Sequence, residues 1–241
     1  MFGKSCVYGP LNSRRLGKSL CVNLLTEKAC PQDCIYCEVG KTTLLTMERR
    51  VFVPEEVVFE QLDKVLSEGR EIDHITFSGY GEPTLSASIG KVAEYIKKNH
   101  PRYPLVLLTN GMLLGDEAVQ REISCVDLVI PSLDGSCEAE FQAVNRPVKD
   151  FSFDRFISGM QSFMKQRTCR VHLELFVVPG INDSMESIRR FREIVAALNV
   201  DLVQLNHLDR AGTEDHVRVP DMETLSLFAR ELEKAAPVEI I

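Results

Sequence analysis

Six short runs rich in Val, Ile, Leu and Phe, each bounded by turn residues, alternate with stretches of helical spacing, and few folds accommodate that order. The runs are 19–26, 74–78, 104–110, 127–133, 171–178 and 201–208. Continuous apolar runs of this length are the mark of strands covered on both faces. Between the first two runs, Val58, Leu62, Val65 and Leu66 fall on one helical face, with Pro54, Glu55 and Glu56 as a favourable first turn and Gly69 as a stop. Further helices are expected over 86–99, 116–123, 153–166 and 184–198. The last is expected over 221–235, with Asp221 as N-cap, Met222, Leu225, Ala229 and Leu232 on its inner face, and Pro237 after its end. Strand and helix in alternation predict an α/β fold, a parallel sheet with helical crossovers. Six units fall short of an eight-stranded barrel. A partial (βα)6 barrel and an open doubly wound sheet both satisfy the pattern, and both gather ligands at the C-terminal ends of the strands.

No repeat, low-complexity tract or linker interrupts the chain, so a single domain over 1–241 is expected. It divides into an N-terminal extension (1–18), a barrel core (19–208) and a C-terminal helix and tail (209–241). No run approaches the 18 apolar residues of a membrane helix, and the N-terminal stretch MFGKSCVYGP has no apolar targeting segment. A cytoplasmic protein without membrane contact is the expectation. The 28 Lys and Arg against 35 Asp and Glu give a net charge of −7, which speaks against a tight non-specific grip on nucleic acid. Eight cysteines in 241 residues are too sparse for a disulfide scaffold and point to metal or redox chemistry.

Three of these cysteines lie in one loop after the first strand, Ala29-Cys30-Pro31-Gln32-Asp33-Cys34-Ile35-Tyr36-Cys37, spaced C-x3-C-x2-C. Three close thiolates suit an iron-sulfur cluster or zinc. A structural zinc site wants a fourth ligand and usually paired C-x2-C knuckles, and there is no second knuckle. Three cysteines on a four-iron cluster leave one iron open for a substrate or cofactor. The later strand ends are equally polar. The second ends Phe77-Ser78-Gly79-Tyr80-Gly81-Glu82-Pro83-Thr84, where glycines permit close backbone approach and Glu82 offers a charge partner for an ammonium. The third ends in Asn110-Gly111 and the fourth in Ser132-Leu133-Asp134-Gly135. Turn capping by Asn and Asp is the alternative reading of these last two.

The cysteine loop, with an aromatic residue before its last cysteine, resembles the signature of the radical S-adenosylmethionine (SAM) enzymes. The resemblance implies a partial barrel and a [4Fe-4S] cluster held by Cys30, Cys34 and Cys37. The open iron would chelate the amino and carboxylate groups of SAM, and one electron would cleave SAM to methionine and a 5'-deoxyadenosyl radical. Tyr36 fills the position that lies near the adenine in that family. The Gly79 to Thr84 segment is similar to the family's Gly-Gly-Glu-Pro segment, with Tyr80 splitting the glycine pair, and implies that Gly79, Gly81 and Glu82 bind the methionine amino group. By the same correspondence Asn110, Ser132 and Asp134 face the SAM carboxylate or ribose, and Val178, Asn206 and Leu208 neighbour the adenine. The group Asn145-Arg146-Pro147, Asn182, Asp183, His207, Asp209 and Arg210 would line the substrate side, with His207 and Cys137 as candidate catalytic groups.

More narrowly, Tyr8-Gly9-Pro10, Ser13-Arg14-Arg15-Leu16-Gly17, Asn145-Arg146-Pro147 and Pro179-Gly180-Ile181-Asn182-Asp183 resemble the branch that contains the wybutosine-synthesis enzymes (tRNA 4-demethylwyosine synthase-like) and stand-alone relatives of unknown substrate. That branch's characterised enzyme uses three N-terminal cysteines for a second cluster, whereas only Cys6 and Cys21 precede the loop here. The resemblance implies an electron donor such as flavodoxin or ferredoxin and a small-molecule, peptide or protein substrate. An activase that makes a glycyl radical on a partner enzyme and a tRNA-modifying enzyme are the alternatives within the family. A non-catalytic iron-sulfur or zinc protein is the alternative outside it.

Overall fold

The computed structural model describes residues 5–241. Met1 to Lys4, part of the stretch read above for a targeting segment and of the expected 1–18 extension, lie outside the described residues. The chain opens with β1 (Val7–Ser13) and β2 (Gly17–Val22), an antiparallel pair. A two-stranded ribbon follows, β3 (Ala29–Cys30) with β4 (Leu44–Leu45), then α1 (Glu55–Ser67), β5 (His74–Phe77), a 3-10 turn (Pro83–Leu85) and α2 (Ile89–Asn99). Next come β6 (Leu105–Thr109), α3 (Glu117–Glu122), β7 (Leu128–Pro131), α4 (Glu138–Asn145) and α5 (Phe153–Gln166). The last elements are β8 (Arg170–Phe176), α6 (Met185–Leu198), β9 (Leu202–Asn206), α7 (Met222–Leu232) and β10 (Val238–Ile240).

Each of the six expected runs overlaps a strand, β2 and β8 starting two and one residues early, and these six pair in parallel in chain order, β2-β5-β6-β7-β8-β9. β1 extends one edge and β10 the other, so among the described residues the sheet has eight strands and no closed barrel. Alternation along the strands sorts the side chains onto two faces. Ile75, Phe77, Leu105, Leu107, Val129, Val171, Leu173, Val203 and Leu205 join the helices in the main apolar core. The other face carries Ser19, Thr76, Val106, Ile130, Glu174 and Gln204. Leu16, from the turn between β1 and β2, packs there with Val106 and Ile130. Arg14 and Arg15 from that same turn reach across to Asn206 of β9 and Glu174 of β8. Arg14, Arg15 and Leu16 of this turn thus cover that face of the sheet.

The expected helix over 86–99 starts three residues later than read, at Ile89, after the 3-10 turn, and α4 and the two edge strands were not foreseen. The inner face of α7 consists of Leu225, Phe228 and Leu232 with Ala229 packed beside them, whereas Met222 is 63% exposed. Met222 is the first helical residue, and the apolar stripe begins one turn later. Among the described residues, no helix is long and apolar enough to cross a membrane.

Candidate active site

A cavity of about 270 Å³ opens at the C-terminal ends of the strands, and Cys30, Cys34 and Cys37 all line it. Around them stand Tyr36, Gly79, Gly81, Glu82, Asn110 and Ser132 from the sequence-expected set, with Arg15, Lys28 and Glu174 beside them. The cysteine loop is held from several sides. Its entry forms the β3–β4 ribbon, and its middle donates Asp33 N–H to Asn145 O (3.0 Å) and Ile35 N–H to Val144 O (3.0 Å) at the end of α4. The Gly79 to Thr84 loop packs directly on it, Glu82 N–H donating to Ala29 O at 3.0 Å. At Gly81 an added Cβ would overlap that same Ala29 carbonyl, and at Gly79, with φ +141°, it would overlap the Asn23 side chain. These two glycines are required by the contact between the loops.

Each thiol of the loop accepts one side-chain N–H. Asn110 Nδ2 lies 3.4 Å from Cys30 Sγ, Asn145 Nδ2 lies 3.4 Å from Cys34 Sγ, and Lys28 Nζ lies 3.1 Å from Cys37 Sγ. Burial, with the nearby Glu82 charge, pushes the Cys30 thiol up to about 12, and burial with Asp134 raises Cys34 well above the ordinary thiol value. Metal-free, these two thiols hold their protons. A bound cation reverses that preference, because a coordinating thiol is deprotonated outright. N–H groups aimed at sulfur suit a metal thiolate, so the donor chemistry of this loop fits the three-cysteine cluster. Among the described residues, no fourth Cys, His, Asp or Glu joins the three thiols in a closed single-metal site.

Two carboxylates are buried at these strand ends. Glu82, 2% exposed, accepts Thr84 N–H (3.0 Å), Thr84 Oγ1–H (2.6 Å) and Thr109 Oγ1–H (2.7 Å) at Oε1, and Asn110 N–H (2.7 Å) at Oε2. Asp134, also 2% exposed, accepts Tyr36 O–H (2.5 Å) and Asn145 Nδ2–H (2.7 Å) at Oδ2 and Phe176 N–H (3.1 Å) at Oδ1. Burial raises both carboxyl groups above the ordinary value against these donors. Tyr36 also stacks on Phe176, centroids 3.8 Å apart and 8° from parallel.

Asp134 is therefore an internal hub. It does not line the cavity, where it was expected to face SAM, because its oxygens are turned to Tyr36, Asn145 and Phe176. Asn145 and Asn182, expected on the substrate side, serve the same hub, Asn182 Nδ2 donating to Asp134 O and Phe176 O at 2.8 Å each. Val178 and Leu208, expected beside the adenine, pack instead with Ile35, Val144, Phe176 and Val217. Asn206 is engaged by Arg14 and by the His207 N–H. His207 contacts the Leu208 carbonyl through Nδ1, and Cys137 is the N-cap of α4; neither lines the cavity. Arg146 pairs with Glu214 at 2.6 Å, Asp183 accepts Gly180 N–H, and Arg210 pairs with Glu38 at 2.7 Å while the Asp209 N–H meets the same carboxylate.

Three cavity residues escaped the sequence reading in these roles. Arg15 and Glu174 form an ion pair on its floor, and burial together with the neighbouring Arg14 lowers the Arg15 guanidinium to about 10. Glu174 carried a signal, an acidic residue inside an apolar run. Lys28 carried none.

The pattern of the radical SAM superfamily matches residues 26–192, and the chain belongs to that superfamily. The superfamily's cofactors are a [4Fe-4S] cluster and SAM, and the chain is an enzyme of this kind. At closer range it is 33% identical over 221 residues to UPF0026 protein MJ1312 of Methanocaldococcus jannaschii, covering 91% of this chain and 68% of that one. It is 32% identical over 235 residues to a Brachyspira hyodysenteriae protein named GTPase Obg, covering 97% of this chain and 34% of that protein, so it spans about a third of that relative. The fold is shared with a radical SAM methyltransferase from Sphaerobacter thermophilus (TM-score 0.71, 17% identity, 92% of this chain and 65% of that one). It is shared also with TYW1 bearing a lysine-pyruvate adduct (TM-score 0.65, 18% identity, 90% and 74%).

Proposed function

We propose that Cys30, Cys34 and Cys37 hold the [4Fe-4S] cluster in this cavity and that SAM binds against Gly79, Gly81, Glu82, Asn110 and Ser132. The observation that carries the reading is that all three thiols and these five residues line one cavity at the strand ends. When bound, the reduced cluster supplies one electron that breaks the C5'–S bond of SAM, giving methionine and a 5'-deoxyadenosyl radical that takes a hydrogen atom from a substrate. The protein's share is binding, orientation and exclusion of water. Glu82 Oε2, which accepts only the Asn110 amide, keeps a lone pair for an ammonium. Tyr36, tied to Asp134 and stacked on Phe176, anchors the cysteine loop beside Cys37. Leu108 and Ile130 give an apolar wall, and the Arg15–Glu174 pair closes the floor.

The reading places the protein in a reducing, cytoplasmic setting as a single catalytic domain, served by an electron donor such as flavodoxin or ferredoxin. Its substrate is a small molecule, peptide or protein. The net charge of −7 weighs against the tRNA of the wybutosine branch. The test is reconstitution with iron and sulfide under anaerobic conditions, reduction with dithionite, addition of SAM, and chromatography for 5'-deoxyadenosine. The nucleoside is expected. Its absence under several reductants, with a fully loaded cluster, sinks the reading.

A further inference from the structure

The three cysteine sulfurs are met by three donors from three separate segments, Lys28 ahead of the loop, Asn110 after β6 and Asn145 at the end of α4. They differ in charge. Asn110 and Asn145 offer neutral amides, and the sulfurs they meet also feel a buried carboxylate, Glu82 at Cys30 and Asp134 at Cys34. Cys37 is met by an ammonium. Lys28 is only 8% exposed, and among the described residues it has no ion pair with an acid. Its second contact is the carbonyl of Gly40, three residues beyond Cys37.

We propose that Lys28, Asn110 and Asn145 form a donor set that fixes the reduction potential of the cluster, with Lys28 as its dominant member. The inference rests on the proposed function, since it takes the three cysteines as cluster ligands. Hydrogen bonds to sulfur and net charge are among the factors that set iron-sulfur potentials. Both favour the state with one more electron, and a charge in a buried site acts through a lower dielectric than water. Glu82 and Asp134 oppose reduction, and Lys28 is the one cation among these sulfur contacts that offsets them. Lys28 is a positioning and tuning residue, since it acts on the electron acceptor through Cys37.

The test compares the full-length wild type with Lys28→Met, Lys28→Gln and Lys28→Arg, each loaded anaerobically and matched for iron and sulfide content. The reduced fraction is followed by EPR during a dithionite titration with redox mediators. Lys28→Met is expected to lower the ratio of reduced to oxidised cluster about tenfold at fixed potential, which is 59 mV for one electron. Lys28→Gln, which keeps an N–H and loses the charge, falls between, and Lys28→Arg returns toward the wild type. Equal midpoints for wild type and Lys28→Met overturn the proposal and leave Lys28 as a strut for Gly40. If Lys28→Met does not hold iron, the comparison of Lys28→Gln with Lys28→Arg decides, and equal midpoints there overturn it. Failure of the wild type to load any cluster sinks the proposed function instead, so the two readings fail separately.

Discussion

The two ends of the parallel sheet solve one problem in opposite ways. At the N-terminal ends, exposed aspartates receive N–H groups from the first or second strand residue: Asp73 takes Lys18 N–H, Asp127 takes Leu105 N–H, and Asp201 takes Val171 N–H, each at 2.7 Å. Asp127 is paired with Lys97 at 2.8 Å, and Asp201 with Arg167. Hydrogen bonds from Arg167 and Val171, against a desolvation that acts the other way, hold the Asp201 carboxyl below its ordinary value. At the C-terminal ends, Glu82 and Asp134 also receive N–H groups, but both are buried, their donors are all neutral, and their carboxyl groups are raised. Of the lower carboxylates, Asp201, lowered on folding, stabilises the fold at neutral pH. The upper ones are held at a cost, where the barrel scaffold keeps its chemistry.

The sharpest way to separate the two ends is to remove one atom from the cysteine loop. Cys34→Ala is expected to abolish iron retention and 5'-deoxyadenosine formation together, with the chain still folded by circular dichroism. Next in size is the glycine contact. Gly81→Ala drives a methyl group into the Ala29 carbonyl and is expected to cost about 3 kcal/mol in urea unfolding, while Gly69→Ala, with φ +69° and open space, costs about 1 kcal/mol. Equal losses at the two sites would contradict the loop-on-loop contact.

Removing a carboxylate from each end gives the third comparison. Asp134→Ala strands the Tyr36 hydroxyl, the Asn145 amide and the Phe176 N–H in the interior, and is expected to cost about 3 kcal/mol. Asp127→Ala releases the half-buried Lys97 ammonium to water and leaves a single N–H, that of Leu105, without its carboxylate, and costs about 1 kcal/mol.

The smallest effect is in pH dependence. Asp201, lowered on folding, contributes stability that is complete above the ordinary carboxylate value, about pH 4, and is lost as pH falls through its folded value. Glu82, raised on folding, runs the other way. Between the ordinary value and its folded value, the metal-free folded chain keeps a proton that the unfolded chain has released, so stability falls as pH rises. In urea unfolding of the metal-free protein from pH 3 to 8, Asp201→Asn should lose its deficit toward acid. Glu82→Gln should gain on the wild type above pH 4. Parallel curves for all three proteins would show that the two ends are electrostatically alike.

Much of the core was legible because apolar runs and the C-x3-C-x2-C spacing are local features. The six central strands needed only their Val, Ile and Leu content, and the cysteines and Glu82 needed only their neighbours in sequence. β1 escaped because Tyr8-Gly9-Pro10-Leu11-Asn12 reads as a turn, and β10 because three residues carry no periodicity. The roles of Asn145 and Asn182 were misread for another reason. A polar residue at a helix end or in a loop looks the same in sequence whether it faces a ligand or, as here, ties Asp134 to the cysteine loop and β8. Lys28, Arg15 and Glu174 meet their partners only after the chain folds, Arg15 and Glu174 across 159 positions, so spacing held no trace of them.

The central claim is that one cavity holds the cluster on three cysteines with SAM at its open side. The most direct measurement is the EPR spectrum of the dithionite-reduced, iron-loaded wild type with and without SAM. The account predicts a SAM-dependent change in that spectrum. A loaded, reduced cluster whose spectrum is identical with and without saturating SAM would contradict it.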